Sequence, residues 1–279
     1  MAVHDQLAIV TGASSGMGRE TAKLLAQRGW HVLAGVRKDA DGESLAADSI
    51  EPVILDITDQ SQIDAVLARV DEDPAGRPLS VLVNNAGISL NAPIETLSLA
   101  GWRQQFDVNL FGHVAMTRTL LSALMAAQGR VVNVSSIGGL VALPTYGPYA
   151  ASKFAMEAFS DVLRREVGRF GVTVIVIEPG TIATDIWDKQ SAAMRELSAA
   201  WTPDWHARYD SLQETAITLA QGASERGLDA AAAAQVIVEA ITAQTPQTRY
   251  LVGDAVAMGP AVHDSSDRQL DEMFAGIFG

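Results

Sequence analysis

The chain has 279 residues, and its 20 lysines and arginines against 33 aspartates and glutamates give a formal net charge of −13. With 48 % hydrophobic and 19 % charged residues the composition is globular rather than disordered, and the acidic balance disfavours a nucleic-acid partner. The absence of cysteine excludes a disulfide framework, a thiol nucleophile and a cysteine-ligated zinc ion.

Short runs rich in valine and isoleucine alternate with segments of helical spacing. The predicted strands are 7–10, 31–34, 53–55, 79–83, 130–134, 172–177 and 249–252. The predicted helices are about 16–28, 59–72, 100–127, 149–169 and 229–243. Most of the strands are apolar at nearly every position, which is typical of parallel strands covered by helices on both faces. The pattern predicts a Rossmann-like, doubly wound α/β fold with a mainly parallel seven-stranded sheet.

The segment from about 184 to 226 departs from this alternation. An insertion this long between a strand and a helix is usually functional or disordered, and its large apolar side chains argue against disorder. We therefore expect a helical substrate lid there, with a fixed helical hairpin or a subunit contact as the alternatives. No linker divides the chain, so one dinucleotide-binding domain over 1–279, carrying this lid, is predicted. The lid includes Trp187, Met194, Leu197, Trp201, Trp205 and Tyr209.

The first predicted strand ends in a glycine-rich turn that leads straight into a helix. Its glycines, Gly12, Gly16 and Gly18, are spaced G-x-x-x-G-x-G rather than G-x-G-x-x-G. Such a turn lets backbone amides approach a pyrophosphate at a helix N-terminus, although a plain strand–helix joint is the alternative. The same residues spell a G-x-S-x-G nucleophile elbow around Ser14, but only eleven residues precede Gly12, too few for the oxyanion-loop strand.

A second cluster combines a serine, a tyrosine and a lysine. Tyr149 and Lys153 are four residues apart and so share one helical face, while Ser136 follows a predicted buried strand. A buried ammonium beside a phenol favours the phenolate, so we expect Lys153 to lower the pKa of Tyr149 from its usual value near 10. Such a phenol can exchange a proton with an alcohol or alkoxide oxygen. For the Tyr–Lys spacing alone, a half-buried tyrosine on a surface helix is the alternative.

Taken together, these motifs resemble the short-chain dehydrogenase/reductase family in its single-domain branch. The resemblance implies an oxidoreductase that moves a hydride between a nicotinamide cofactor and a secondary alcohol/ketone pair. A dinucleotide-sensing protein without catalysis is the alternative, against which the presence of both Tyr149 and Lys153 counts. The stretch from Tyr146 onwards is similar to steroid, retinol and hydroxybutyrate dehydrogenases, which does not fix a substrate. The matching motifs are Thr11 to Gly18, Asp56, Asn84-Asn85-Ala86-Gly87, Asn109, Ser136, Tyr149 with Lys153, and Pro179-Gly180 with Thr184.

The resemblance also implies a role for each matching residue. Tyr149 is the implied acid/base, Ser136 bonds the reacting oxygen, and Lys153 holds the nicotinamide ribose. Asn109 is implied to help hold a water that links Lys153 to solvent, with a solvent-facing asparagine as the alternative. The implied cofactor contacts are Gly12, Ser14, Ser15, Gly16, Met17, Gly18, Asp56, Ile57, Asn84, Ala86, Gly87, Tyr149, Lys153, Pro179, Gly180, Ile182 and Thr184.

The end of the second predicted strand bears on the choice between NAD and NADP. Val36 stands where NAD-preferring members of the family carry an aspartate, and Arg37 follows it. The guanidinium of Arg37 could clamp the 2′-phosphate of NADP, and Ser14 and Ser15 could add hydroxyl donors. NADP(H) is therefore favoured over NAD(H), with a solvated Arg37 as the alternative.

The expected substrate pocket is apolar. Leu143, Tyr146, Trp187 and Met194 are predicted to line it, which favours a hydrophobic alcohol or ketone. The five histidines lack ligand spacing, so no metal site is predicted. Residues 1–6 are polar, and the most apolar run, 172–177, is far shorter than the roughly 20 residues that span a bilayer. A cytoplasmic protein with no membrane partner is expected.

Two further features concern assembly. The helices at 100–127 and 149–169 carry more large apolar residues than one sheet face covers, so a homodimer or homotetramer is expected. The segment 267–278 is amphipathic and is expected to cover the lid or to reach a neighbour. The apolar residues of the two helices are Phe106, Leu110, Phe111, Phe154 and Phe159.

Overall fold

A computed structural model describes residues 6–278. One sheet holds seven strands, all parallel, in the order β3-β2-β1-β4-β5-β6-β9. The order reverses between β1 and β4, so the predicted doubly wound α/β fold is confirmed. Two short strands, β7 and β8, form a separate parallel pair. The strands are β1 (Leu7–Val10), β2 (His31–Val36), β3 (Ile50–Ile54), β4 (Leu79–Asn84), β5 (Arg130–Val134), β6 (Thr173–Pro179), β7 (Ile182–Ala183), β8 (Leu228–Asp229) and β9 (Arg249–Val252).

Helices cover both faces of the sheet. The helices α1 and α9 pack on one face, and α3, α5 and α6 contribute to the core on the other. Among residues 6–278 no helix is both long enough and apolar enough to cross a membrane. The α-helices are α1 (Gly16–Gln27), α2 (Asp39–Glu43), α3 (Gln60–Asp71), α4 (Leu99–Phe106), α5 (His113–Ala126), α6 (Gly147–Val167), α7 (Ile186–Ser198), α8 (Pro203–Arg226), α9 (Ala230–Thr242), α10 (Ala255–Asp264) and α11 (Asp267–Phe278).

The central strand β1 shows why the strand sequences are apolar throughout. All four of its residues are fully buried. Ala8 and Val10 face the core beneath α1 and α9, whereas Leu7 and Ile9 face the core beneath α3, α5 and α6. Each large side chain buried in this way contributes about 1.5–3 kcal/mol, so both faces of the sheet are anchored from one strand.

The helix predicted over 100–127 is interrupted. A π-helical turn, Asp107–Gly112, separates α4 from α5, and Asn109 lies within it. Such a turn widens the helix by one residue and occurs frequently at functional sites.

The lid segment is helical, as the sequence predicted, and consists of α7 and α8. The C-terminal helix α11 covers it, because Phe278 packs against Met194, Ala216 and Ile217. Two helices were not predicted. They are the short helix α2 and α10, which contains Pro260.

Candidate active site

The glycine turn between β1 and α1 fits tightly against the end of β4. Gly12 has φ +65°, and a β-carbon on it would lie 2.8 Å from the Cα of Ala86. A β-carbon on Gly18 would lie 2.5 Å from the carbonyl oxygen of Gly12. Both positions therefore require glycine for the backbone to approach its neighbours this closely.

The N-terminus of α1 at this turn is free to receive an anion. Ser15 is the N-cap, yet its side chain makes no capping hydrogen bond, and no acidic residue lies in the first turn. The first N–H groups and the helix dipole therefore favour a phosphate there. Ser14, Ser15 and Met17 are half-buried around this N-terminus, so the turn fits the pyrophosphate of a dinucleotide. Within residues 6–278 Ser14 bonds no histidine or carboxylate, which disfavours the nucleophile elbow.

The side chains of the two asparagines at the end of β4 have different roles, and the cofactor contact of Asn84 stays a prediction. Asn84, expected to contact the cofactor, is fully buried and donates to Thr117 Oγ1 (3.0 Å) and Asn133 Oδ1 (2.9 Å). Successive residues of a strand point to opposite faces, which turns Asn84 into the helix layer. Asn85 donates instead to the carbonyls of Thr11 (2.9 Å) and Gly12 (3.2 Å) and fixes the glycine turn.

Residues after β2 and β3 border the same edge of the sheet. Arg37 is exposed and makes no hydrogen bond within residues 6–278. Asp56 is half-buried, and its Oδ1 accepts from the backbone N (2.9 Å) and Oγ1 (2.7 Å) of Thr58. The side chain of Ile57 is 4 % exposed and packs in the core beneath α3 and α5. Arg37 and one carboxylate oxygen of Asp56 are thus available to a ligand.

Ser136 and Tyr149 meet beside Gly138. Ser136 lies two residues after β5 and caps a short 3-10 turn, where its Oγ accepts from the backbone N of Gly138 (3.0 Å). Tyr149 lies in the first turn of α6. A β-carbon on Gly138 would lie 3.0 Å from Tyr149 Cε1 and 3.4 Å from Ser136 Oγ. The phenol and the hydroxyl therefore share one wall of the site.

Lys153 approaches Tyr149 from the next turn of α6. Its side chain is buried, its Nζ donates to the carbonyl of Val134 at 2.9 Å, and Nζ lies 5.8 Å from the centre of the Tyr149 ring. The one-turn spacing thus brings the ammonium and the phenol together at the carboxyl end of β5.

The expected lowering of the Tyr149 pKa is not found. Burial raises the pKa of Tyr149 to about 12, against a smaller lowering by its hydrogen bond with Ser136. Burial also lowers the pKa of Lys153 to about 8. At neutral pH Lys153 therefore still carries its proton, while the phenol of Tyr149 is neutral. At neutral pH this Tyr149 is a proton donor.

Asn109 is fully buried, so the solvent-facing alternative is excluded. Its Oδ1 accepts from the backbone N of Ile88 (2.9 Å), and its Nδ2 donates to the Ile88 carbonyl (3.0 Å) and to Ser152 Oγ (3.3 Å). The π-helical turn orients the Asn109 amide toward the loop after β4. Burial lowers the pKa of the adjacent His113 to about 3, so that ring is neutral.

The segment after β6 returns to the glycine turn. Gly180 donates its N–H to the Val252 carbonyl (2.9 Å), and Ile182 is buried against the sheet. A β-carbon on Gly16 would lie 3.1 Å from Thr184 Cγ2. Gly16 and Thr184, both predicted to contact the cofactor, are therefore adjacent in the fold.

The predicted substrate wall is only partly reproduced. Met194 is fully buried in the contact between α7 and α8, because it packs on Ala216 and Ile217, and it does not line a pocket. The Nε1 of Trp187 donates to the carbonyl of Ile182 (2.6 Å). Leu143 borders a groove together with Phe274 and Phe278 of α11.

Tyr146, which was predicted to line the substrate pocket, has two polar neighbours that were not predicted, Gln190 and Asn91. The ring of Tyr146 meets that of Tyr149 edge to face, with centres 6.2 Å apart. Its hydroxyl accepts from Nε2 of Gln190 on α7 (2.8 Å), and both Gln190 and Asn91 are nearly fully buried. The signal was present, because Gln190 lies one turn before Met194 on the inward face of the lid helix.

A family model described as short chain dehydrogenase matches residues 6–195, which is more than half of the chain. The chain belongs to this family. The short-chain dehydrogenase fold and the motif order recognised in the sequence are therefore confirmed. In this family the protein is an NAD(P)-dependent oxidoreductase.

Two relatives match nearly the whole chain. The NADPH-dependent 3-dehydrocapnine reductase of Ornithobacterium rhinotracheale is 34 % identical over 276 residues, which cover 96 % of this chain and 95 % of the relative. Human dehydrogenase/reductase SDR family member 9 is 33 % identical over 260 residues, covering 90 % and 81 %.

Solved structures agree with this assignment. A short-chain dehydrogenase from Streptomyces avermitilis is 30 % identical with a TM-score of 0.79, covering 98 % of this chain and 97 % of its own. A second, from Burkholderia cenocepacia J2315 in complex with NADP, is 26 % identical with a TM-score of 0.74, covering 98 % and 99 %.

Proposed function

We propose that this short-chain dehydrogenase is an NADP(H)-dependent reductase that converts a hydrophobic ketone to a secondary alcohol. The observation that carries the proposal is the meeting of Ser136, Tyr149 and Lys153 at the carboxyl end of β5, beside the glycine turn. A phenol that keeps its proton at neutral pH suits donation to a developing alkoxide, which favours the reductive direction.

Each of these side chains has a defined part in the proposed reaction. The reduced nicotinamide, when bound, supplies a hydride to the carbonyl carbon. Ser136 Oγ and Tyr149 Oη bond the carbonyl oxygen, and Tyr149 gives it a proton as the alcohol forms. Lys153 holds the nicotinamide ribose, and Asn109 helps to hold a water through which Tyr149 regains a proton by way of Lys153.

The preference for NADP(H) rests on the end of β2. Val36 offers no carboxylate to the ribose 2′-hydroxyl, and the neighbouring Arg37 is exposed and available for a 2′-phosphate. A relative whose name specifies NADPH and a structural neighbour in complex with NADP support the same choice.

The substrate is proposed to be mainly apolar with one polar anchor. Leu143 and Trp187 would supply apolar area, whereas Tyr146, next to Tyr149, and its partner Gln190 would supply polar atoms. A screen of aliphatic, aromatic and steroidal ketones, followed by the consumption of NADPH, tests this proposal. Turnover of apolar ketones above sugars and small organic acids is expected, and turnover of polar substrates alone would contradict it.

We also propose that the protein acts as a homo-oligomer through the face formed by the π-helical turn and α6. Phe111 and Phe154 are 56 % and 45 % exposed there, and they would supply the apolar area of an interface. Phe159, expected on the same surface, packs instead into the core beneath α5 and α6.

A further inference from the structure

A cluster of charged side chains lies buried behind Lys153, away from Tyr149. Glu157 is one helical turn further along α6 and 8 % exposed, and Glu178 on β6 is 3 % exposed. Carboxylates are rarely buried this deeply without a specific partner. The reaction proposed above uses neither of them.

Arg249 of β9 gathers these carboxylates. Its guanidinium bonds Glu157 Oε2 (3.0 Å) and lies 3.3 Å from Glu178 Oε1 and 3.1 Å from Asp161 Oδ1. Three carboxylates thus surround one guanidinium, and burial together with the Glu157 charge raises the pKa of Glu178 to about 7. Glu157 Oε1 is buried and has no hydrogen-bond partner within residues 6–278.

The cluster touches the catalytic helix and the serine turn at one point. A β-carbon on Gly139 would lie 3.1 Å from Glu157 Cγ, 3.2 Å from the Lys153 carbonyl and 2.8 Å from Ser135 Oγ. The aliphatic part of the Glu157 side chain is therefore packed against the turn that follows Ser136.

The buried ammonium of Lys153 would be stabilised by a nearby negative charge. Its ammonium is buried, and the hydrogen bond found for it goes to the uncharged carbonyl of Val134. The titratable groups facing it from α5 and from its own helix, His113 and Tyr149, are uncharged at neutral pH. Burial lowers the pKa of Lys153, and within the cluster the charge of Glu157 acts in the opposite direction and raises it. Arg164 pairs with Asp161 at the outer edge.

We infer that Glu157, held in place by Arg249, is a positioning residue that keeps Lys153 charged for its part in the reductase reaction proposed above. Its buried carboxylate lies one helical turn from Lys153, and its negative charge favours the protonated form of the lysine without a direct ion pair. Asp161, two turns beyond Lys153 and more exposed, shares the same arginine without this effect.

The charge of Lys153 can be measured directly because the chain has four lysines, Lys23, Lys38, Lys153 and Lys189. When the lysines are labelled with ¹³C at Cε, each gives one NMR signal. The signal that disappears in Lys153→Met is that of the buried lysine. We expect Glu157→Gln, which keeps the shape of the side chain, to lower the pKa of Lys153 by about one unit. Asp161→Asn is the matched control and should leave it unchanged.

The same variants separate this inference from the proposed function. The NMR titration needs neither cofactor nor turnover, so an unchanged Lys153 pKa in Glu157→Gln overturns the inference even if the enzyme is a reductase. Where reduction is measured, the alkaline loss of activity should move to lower pH in Glu157→Gln and not in Asp161→Asn. If Glu157→Gln does not fold, Glu157→Asp keeps the charge at a greater distance and should give a smaller lowering, and no lowering overturns the inference equally.

Discussion

At the scale of single residues, the glycine turn shows that backbone geometry determines much of the cofactor site. Gly12 combines a positive φ with a close approach to Ala86, and the sequence pattern identified it correctly. The same pattern could not separate Asn84 from Asn85, because which of two adjacent side chains points to a ligand depends on the strand's register in the folded sheet. Nor could it show that burial raises the pKa of Tyr149 more than the hydrogen bond with Ser136 lowers it.

Substitution of Gly12 tests the close approach. We expect Gly12→Ala to cost about 1–3 kcal/mol in the free energy of unfolding and to abolish cofactor binding, because its methyl group meets Ala86. Gly76 is the matched control, since it has φ +63° but no atom within 4 Å of an added β-carbon. Gly76→Ala should show only the backbone strain, about 1–2 kcal/mol, and bind cofactor normally. Denaturant unfolding and cofactor titration measure both effects, and equal behaviour of the two variants would contradict this view of the turn.

The second prediction at the scale of single residues concerns Arg37. We expect Arg37→Ala to weaken NADPH binding about tenfold or more while leaving NADH binding unchanged, since a charge-assisted bond to the 2′-phosphate is lost. Lys38→Ala removes a neighbouring exposed cation and serves as the control. Fluorescence titration of each cofactor gives the dissociation constants. Equal NADPH affinity in wild type and Arg37→Ala would remove Arg37 from the site.

At the scale of secondary-structure elements, the sequence predicted the sheet and the long helices, because buried parallel strands and amphipathic helices have strong periodic signals. The π-helical turn at 107–112 carries no such signal, since its residues continue the helical spacing of α4 and α5. The lid was recognised as helical, but its inward face was misjudged. Met194 packs in the contact between α7 and α8, and Gln190 on the same helix bonds Tyr146.

The bond between α7 and the start of α6 gives a prediction for the lid. Gln190→Leu removes the donor to Tyr146 Oη and should raise KM several-fold with a smaller effect on kcat, because the lid holds the substrate and Tyr149 does the chemistry. Tyr146→Phe removes the same bond from the other side. If the bond itself matters, the double variant should be no worse than either single variant. Additive losses would show that the two residues act separately.

At the scale of the whole molecule, the apolar surface formed by Phe111 and Phe154 predicts assembly. Glutamate at either position should shift the protein to monomers, measured by sedimentation or light scattering, because a carboxylate cannot be buried in an apolar interface without a partner. Ile54, 45 % exposed on the edge strand β3, is the control. Ile54→Glu should leave the assembly unchanged, and a wild-type monomer would contradict the proposal.

The most direct test of the account is Tyr149→Phe, which removes one hydroxyl and leaves the ring against Gly138 and Tyr146. Reduction rates and cofactor affinity are measured on the same preparation. We predict that kcat falls by about 10²–10⁴-fold while NADPH binds as in wild type, because the proton donor is lost and the cofactor site is intact. Full turnover by Tyr149→Phe would contradict the proposed chemistry.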